Sequence, residues 1–325
     1  MKCVLLTGYG WSWSLHGCAE LMRLASVAWV QYQPPRESPD VWEHETRAAS
    51  YVEPIKTVAA SLQIETRCLQ SANTAGFADA LRDAEVTHVI CLGYGEILSP
   101  ETLASGPVFV NFHPSWLPEH RGHNPFASVI LNGEERTGIT VHRMTARIDD
   151  GDYCFREPVA VSPRETFVSL CAKMSITTRE VVNAFVAGAS SGTLSWKSLG
   201  DQRPYHPRHP ADFFHVDLSS DSLLAIDRKV RAYGETGSIS MTWQGRLVFP
   251  RGSDFFQTEL PSPLQRQIDG GPLGCIVVRE HHDCLVLHPV HCRHQAPTAD
   301  ELLWQRVLTH GFSPHALVTS STRTR

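Results

Sequence analysis

What this chain lacks narrows its reading first. No long uncharged apolar run is present, which sets aside a membrane-spanning helix, and the residues after Met1 do not follow a secretory signal pattern. The nine cysteines include no C-x-x-C pair. An odd number without that spacing speaks for reduced thiols and a cytoplasmic protein. No block of Lys and Arg occurs: 29 basic residues against 34 acidic ones leave a formal charge of −5, so no global basic field draws nucleic acid. The glycines after the first apolar segment, Gly8-Tyr9-Gly10, are joined by neither a phosphate-loop lysine nor a full G-x-G-x-x-G, so a nucleotide signal there is weak.

What is present is a strand–helix–strand rhythm. Residues 1–7 and 27–30 read as strands around a helix at 14–24, followed by a polar, proline-bearing loop over 31–50. A helix near 51–62, a strand near 64–68, a helix at 77–84 and a strand at 88–92 continue the pattern of a parallel α/β sheet. The last of these strands feeds a glycine loop, Gly93 to Pro100, whose glycines allow a flat ligand close to the backbone. Trp11 and Trp13 sit in the first loop, either packed or lining an acceptor pocket by stacking.

The organising stretch is Val108 to Gly151. An apolar run, Val108-Phe109-Val110, reads as a buried strand and passes at once into Asn111, His113 and Ser115, then Pro118, Arg121 and Gly122. A helix fits 124–132, Asn132-Gly133 signals a turn, and 138–142 reads as a further strand. Asp149, Asp150 and Gly151 close the stretch. In open α/β sheets chemistry gathers beyond the carboxyl ends of strands, where Asn111, His113 and Asp149 would lie. An amide donor, an imidazole and a carboxylate suit acyl transfer to an amine. Asn111 or protonated His113 offers a donor for an oxyanion, His113 titrates in the useful range, and Asp149 orients the imidazole or an ordered water.

These residues resemble the folate-dependent formyltransferases, the group containing methionyl-tRNA, glycinamide ribonucleotide and amino-sugar formyltransferases. Asn111 through Pro118 with Arg121-Gly122 is similar to the family's catalytic loop, and Asp149-Asp150-Gly151 to its Asp-x-Gly. Asn132-Gly133-Glu134 and the segment Thr137 to Met144 look especially like the sugar branch. Gly93-Tyr94-Gly95-Glu96-Ile97-Leu98-Ser99-Pro100 looks like the loop that meets a pterin ring. The resemblance implies 10-formyltetrahydrofolate as co-substrate, with Gly93, Tyr94, Ile97 and Leu98 at the pterin and Asn111, His113 and Asp149 in catalysis. On the acceptor side, Trp11, Trp13, Ser115 and Arg121 are the substrate-binding candidates, Arg121 alternatively bracing the loop.

After Asp149, a strand at 153–161 and a long helix at 164–187 lead to a catalytic domain bounded at 1–200. A polar, proline-bearing linker over 201–221 separates it from a helix at 223–233 and short alternating segments at 238–243, 246–250, 275–279 and 284–289. That pattern predicts a small barrel-like β domain over 222–318, with a closing helix near 301–308 and a disordered tail at 319–325. The resemblance makes the barrel one of the OB type. The histidines and cysteines between His281 and His294 fit no zinc spacing, and alternation along a strand sends them to both faces, so no metal is expected.

The expected function is therefore formyl transfer to a small-molecule amine, foremost an amino group on a nucleotide-linked sugar. The acidic balance argues against a transfer-RNA acceptor, and a modified amino acid stays open, as does a homodimer. Two other classes compete: hydrolysis of the formyl-folate with water as acceptor, and a non-catalytic RNA- or folate-binding module.

Overall fold

The computed structural model describes residues 1–8, 12–33, 44–200, 205–235, 237–257, 267–270 and 275–292. The chain divides into two compact units, residues 1–209 and 210–325. The first contains β1 (Lys2–Thr7), α1 (Ser12–Leu24), β2 (Ser26–Tyr32), α2 (His44–Ser61), β3 (Glu65–Cys68), α3 (Ala75–Asp83), β4 (His88–Cys91), α4 (Pro100–Leu103) and β5 (Val108–His113). It continues with β6 (Arg121–Gly122), α5 (Pro125–Asn132), β7 (Arg136–Arg143), β8 (Tyr153–Ala160), α6 (Phe167–Ser191) and β9 (Tyr205–His206).

Seven strands form one sheet in the order β3-β2-β1-β4-β5-β7-β8, the first five parallel and β7 and β8 antiparallel. This is the open, mostly parallel α/β sheet that the strand–helix rhythm predicts. The central strands are apolar on both sides, as helices on both faces require. One core cluster gathers Val4, Leu6, Trp29, Phe77, Leu81, Val89, Leu98 and Phe109. Behind the sheet α1 lies against α6, an approach that needs Gly17: a Cβ there would meet Thr178 Cγ2 at 2.6 Å.

Alternation along β5 decides where the polar side chains go. Phe112 packs edge-on against Phe185 of α6, with ring centroids 5.5 Å apart, so Asn111 and His113 share the opposite face. Two expectations shift in detail. The strand runs through His113 instead of stopping at Val110, because cross-strand bonds to β7 continue that far. Helix α2 starts at His44, ahead of the position expected, and accommodates Pro54 within it. The turn expected at Asn132-Gly133 is the one that ends α5, with Gly133 in the left-handed conformation at φ 68°.

The second unit contains β10 (His215–Val216), α7 (Leu223–Tyr233), β11 (Ser240–Trp243), β12 (Arg246–Gln257), β13 (Gln267–Gly270), β14 (Ile276–Glu280) and β15 (Asp283–Cys292). Its six strands pair in the order β10-β11-β12-β15-β14-β13, antiparallel except at β10-β11. The separate antiparallel domain is thus present, its pairings forming an open chain among the described residues. α7 begins at an N-cap, Ser222, and buries Leu223, Ile226 and Val230 at helical spacing. The expected closing helix at 301–308 and the tail lie outside the described residues. Among those described, no helix is long and apolar enough to cross a membrane.

Candidate active site

Register builds the site. Asn111 of β5 stands directly opposite His142 of β7, and His113 opposite Thr140. Side chains at such positions meet across the strands, and Asn111 Nδ2 lies 3.2 Å from His142 Nε2. The loop after β7 then brings Asp149 over both. Its Oδ1 is 3.4 Å from Asn111 Nδ2 and 3.5 Å from His142 Nε2, while Oδ2 is 3.5 Å from His113 Nδ1. The amide of Gly122 donates to Oδ2 at 2.9 Å. Gly151 makes this return possible, since a Cβ there would fall 2.0 Å from the Arg143 carbonyl oxygen.

Backbone carbonyls fix both imidazole tautomers. His113 Nε2 is 3.0 Å from the His120 carbonyl, an oxygen that can only accept, so the neutral ring carries its proton on Nε2. Its Nδ1 lone pair therefore faces Asp149. His142 Nδ1 likewise donates to the Arg143 carbonyl at 2.9 Å, leaving Nε2 to accept from Asn111. Both amide hydrogens of Asn111 are then engaged, one by His142 and one by Asp149.

Burial lowers the pKa of His113 below its ordinary value, and neighbouring His142 adds to this, against the opposing pull of Asp149. The resting ring is a neutral base. For Asp149, burial acts to raise the pKa, but His113, His142 and the Gly122 amide together hold it well below the usual carboxylate range. A neutral base beside a fixed carboxylate can take a proton and have the resulting imidazolium stabilised in place.

The remaining candidates divide. Ser115 is buried, donates to the Glu119 carbonyl at 2.7 Å, and its own carbonyl accepts from Thr140 Oγ1 at 2.7 Å. Its hydroxyl and carbonyl both brace the loop. Buried Arg121 donates through Nε to the Ile148 carbonyl at 3.2 Å, holding the loop that carries Asp149. Trp13 corrects the acceptor-stacking expectation: at 3% exposure it is core, tilted on Phe126 with centroids 5.8 Å apart. Trp11 lies outside the described residues.

On the pterin-loop side, Gly93 adopts φ 70° and Ile97 stands 66% exposed at the loop tip. Leu98 is buried in the core cluster, which leaves only its backbone for a ligand. Tyr94 is half-buried and donates to Glu96 at 2.9 Å. The loop is pinned from outside by Asn73, whose amide donates to Glu96 at 3.1 Å and to the Ile97 carbonyl at 3.0 Å. An exposed apolar side chain on a fixed glycine loop suits a flat heterocycle.

Two contributors were not read from the sequence. His142 becomes visible only through the β5–β7 register. His120 supplies the carbonyl that sets the tautomer of His113, and its own ring is held by Glu134 at 2.7 Å. A histidine followed by Arg-Gly carries no signal of that role by itself.

Residues 37–185 match the family model described as formyl transferase. The methionyl-tRNA formyltransferase of Thermotoga maritima is 31% identical over 182 residues, covering 55% of this chain and 58% of that protein. The chain thus matches a little over half the length of this curated relative. A sugar 3N-formyl transferase solved with dTDP and 5-N-formyl-THF superposes with TM-score 0.64 at 13% identity, over 91% of this chain and 99% of that one. The N-formyltransferase of Helicobacter canadensis, solved with folinic acid and dTDP-3-aminofucose, gives 0.62 at 13% identity, over 90% and 100%. The matched segment and the sequence similarity agree that residues 37–185 are similar to formyltransferases, and the fold is shared with the solved structures over most of the chain.

Proposed function

We propose that the protein transfers a formyl group from 10-formyltetrahydrofolate to the amine of a small molecule, foremost an amino sugar carried on a nucleotide. One observation carries this reading: a neutral His113 whose proton-accepting nitrogen faces Asp149, two residues along the same strand face from Asn111. The folate supplies the formyl carbon, and the Gly93–Pro100 loop with its exposed Ile97 suits the pterin. His113 Nδ1 accepts the proton that the attacking amine sheds and later returns it to the leaving nitrogen. Asp149 stabilises the charged ring between those events. Asn111 gives up one of its two present contacts to donate to the formyl oxygen, where negative charge develops. Arg121, Ser115 and Thr140 keep the loops in register. Of the aromatic pair, Trp11 remains the acceptor candidate.

The amino-sugar reading is supported by the two solved structures, each of which holds a dTDP-containing ligand and covers nearly the whole chain. The acidic balance of the sequence points the same way. A second reading, a methionyl-tRNA acceptor, is favoured by the name of the sequence relative. One assay separates them: the protein is incubated with 10-formyltetrahydrofolate and, in parallel, a dTDP-amino sugar, charged methionyl-tRNA or buffer alone. A formyl mass gain on the sugar supports the first reading. Formylated transfer RNA, with binding that weakens steeply with salt, supports the second. Formate release at the same rate in every arm would overturn both in favour of hydrolysis.

A further inference from the structure

The second unit carries another imidazole set between two partners. β15 lies between β12 and β14, and His288 of β15 stands opposite Gly252 of β12. Across the other edge, Ile276 pairs with Leu287, so antiparallel register brings Cys275 level with His288. Asp254 lies two residues from Gly252 and thus on the same face. Glycine at 252 leaves the imidazole uncovered on that side. The contacts follow this layout: Cys275 Sγ is 3.1 Å from His288 Nδ1, and His288 Nε2 is 2.8 Å from Asp254 Oδ2.

These distances assign roles. A carboxylate oxygen accepts, so the neutral ring places its proton on Nε2 and leaves Nδ1 to receive the thiol proton. Nucleophile, base and orienting carboxylate within hydrogen-bond reach are the signature of an activated nucleophile. The two ring nitrogens look in opposite directions, so the three groups do not converge on one metal position. Among the described residues no such metal-holding group occurs.

We propose that Cys275, His288 and Asp254 form a second, acyl-accepting site, at which the Cys275 thiol takes an activated acyl group from a thioester. In the step, a bond forms between Cys275 Sγ and the acyl carbon, and the bond from that carbon to the leaving sulfur breaks. The thiol proton passes to His288 Nδ1 and then to the departing thiolate, so no oxidant or reductant is needed. Burial and the nearby Asp254 carboxylate push the Cys275 thiol up, so the resting group is S–H and the base works during attack. This favours acyl transfer over disulfide exchange, for which a standing thiolate is the better nucleophile. Cys275 and His288 are each partly exposed, so a small acyl donor reaches them.

The test uses the full-length protein and two probes, p-nitrophenyl acetate and the thioester S-acetyl-N-acetylcysteamine, with peptide mass spectrometry counting acetyl groups on each cysteine. Exposed Cys68 is the comparator in the same molecule. The expected result is acetylation of Cys275 at least about a hundredfold faster than Cys68, the low end of what a positioned base provides. His288→Asn should reduce Cys275 to the rate of Cys68, and Asp254→Asn should give an intermediate loss. Raising the pH should restore reactivity in His288→Asn, because the thiol then ionises without help, a recovery that lost access would not give; an unchanged melting temperature separates it from lost folding. Equal rates at Cys275 and Cys68 in the wild type, or no response to His288→Asn and Asp254→Asn, would overturn the proposal. Labelling by the activated ester but not the thioester would refute the donor class.

Discussion

The two imidazole clusters each hold a ring between two partners and share only the carboxylate, which stands on opposite sides of the ring. At His113 a backbone carbonyl holds the protonated nitrogen, and the carboxylate of Asp149 faces the nitrogen that reacts. At His288 the carboxylate of Asp254 holds the protonated nitrogen, and a thiol faces the one that reacts. A carboxylate at the reacting nitrogen leaves room for a nucleophile brought from outside and stabilises the cation once its proton has moved. A carboxylate at the back orients a ring that serves a nucleophile already in place. The first arrangement fits an amine substrate and the second a resident thiol. Burial separates them further: His113 is enclosed, whereas His288 and Asp254 reach solvent.

The largest expected effect is at the first cluster. His113→Asn should lower kcat by about 10²–10⁴, the range of a positioned general base, and leave Cys275 acylation unchanged. Loss of both reactivities would break the separation of the two sites. Asn111→Ala should cost about 10²–10³ in kcat, as expected for an oxyanion donor, with little change in the Michaelis constant for folate.

Asp149→Asn tests the sign of the electrostatics through a pH–rate profile. The rate requires neutral His113, so it falls as pH drops through the His113 pKa, which lies below the ordinary 6.5. Asp149 raises that pKa, so removing its charge should move the acid limb to still lower pH while the plateau rate drops. A limb moved upward would contradict the assigned geometry. His142→Ala removes the acceptor that aims Asn111, and misplacement of such a group costs up to about 10²-fold. The measured loss should be smaller than for Asn111→Ala. The smallest effect on chemistry belongs to Trp13→Ala, which should destabilise the first unit by about 3–5 kcal/mol. Thermal melting should show this, with both Michaelis constants moving alike. A selective rise for the acceptor would return Trp13 to the site.

How much of this was legible in the sequence depends on whether local pattern or pairing carries the information. The apolar runs at 1–7 and 88–92 with the glycines after them, and the run at 108–110 with the polar residues after it, mark parallel strands and the loops they feed. That Asn111, His113 and Asp149 come together was legible because the loop from Asn111 to Gly122 and the later Asp-x-Gly resemble a known family's catalytic segments. His142 was not, because its place opposite Asn111 follows from antiparallel register, which one strand's sequence does not encode. His120 acts through its backbone carbonyl, to which side-chain identity is indifferent. Trp13 misled because a tryptophan beside a glycine loop suits a pocket as well as a core; its contact with Phe126 depends on how α1 meets α5. In the second unit, the dense histidines from His281 onward fit no zinc spacing along the chain and have no role legible there. Only the β12–β15–β14 register shows that His288 is shared between Asp254 and Cys275.

The proposed mechanism depends on His113 resting neutral, protonated on Nε2, with Nδ1 turned to Asp149. Nitrogen-15 NMR of the imidazoles in the unliganded protein tests this without knowledge of the acceptor. The account predicts that His113 titrates below 6.5 and, once neutral, shows Nε2 protonated and Nδ1 bare. In Asp149→Asn the same resonance should titrate lower still. A His113 that titrates above 6.5, or that carries its neutral proton on Nδ1, would contradict it.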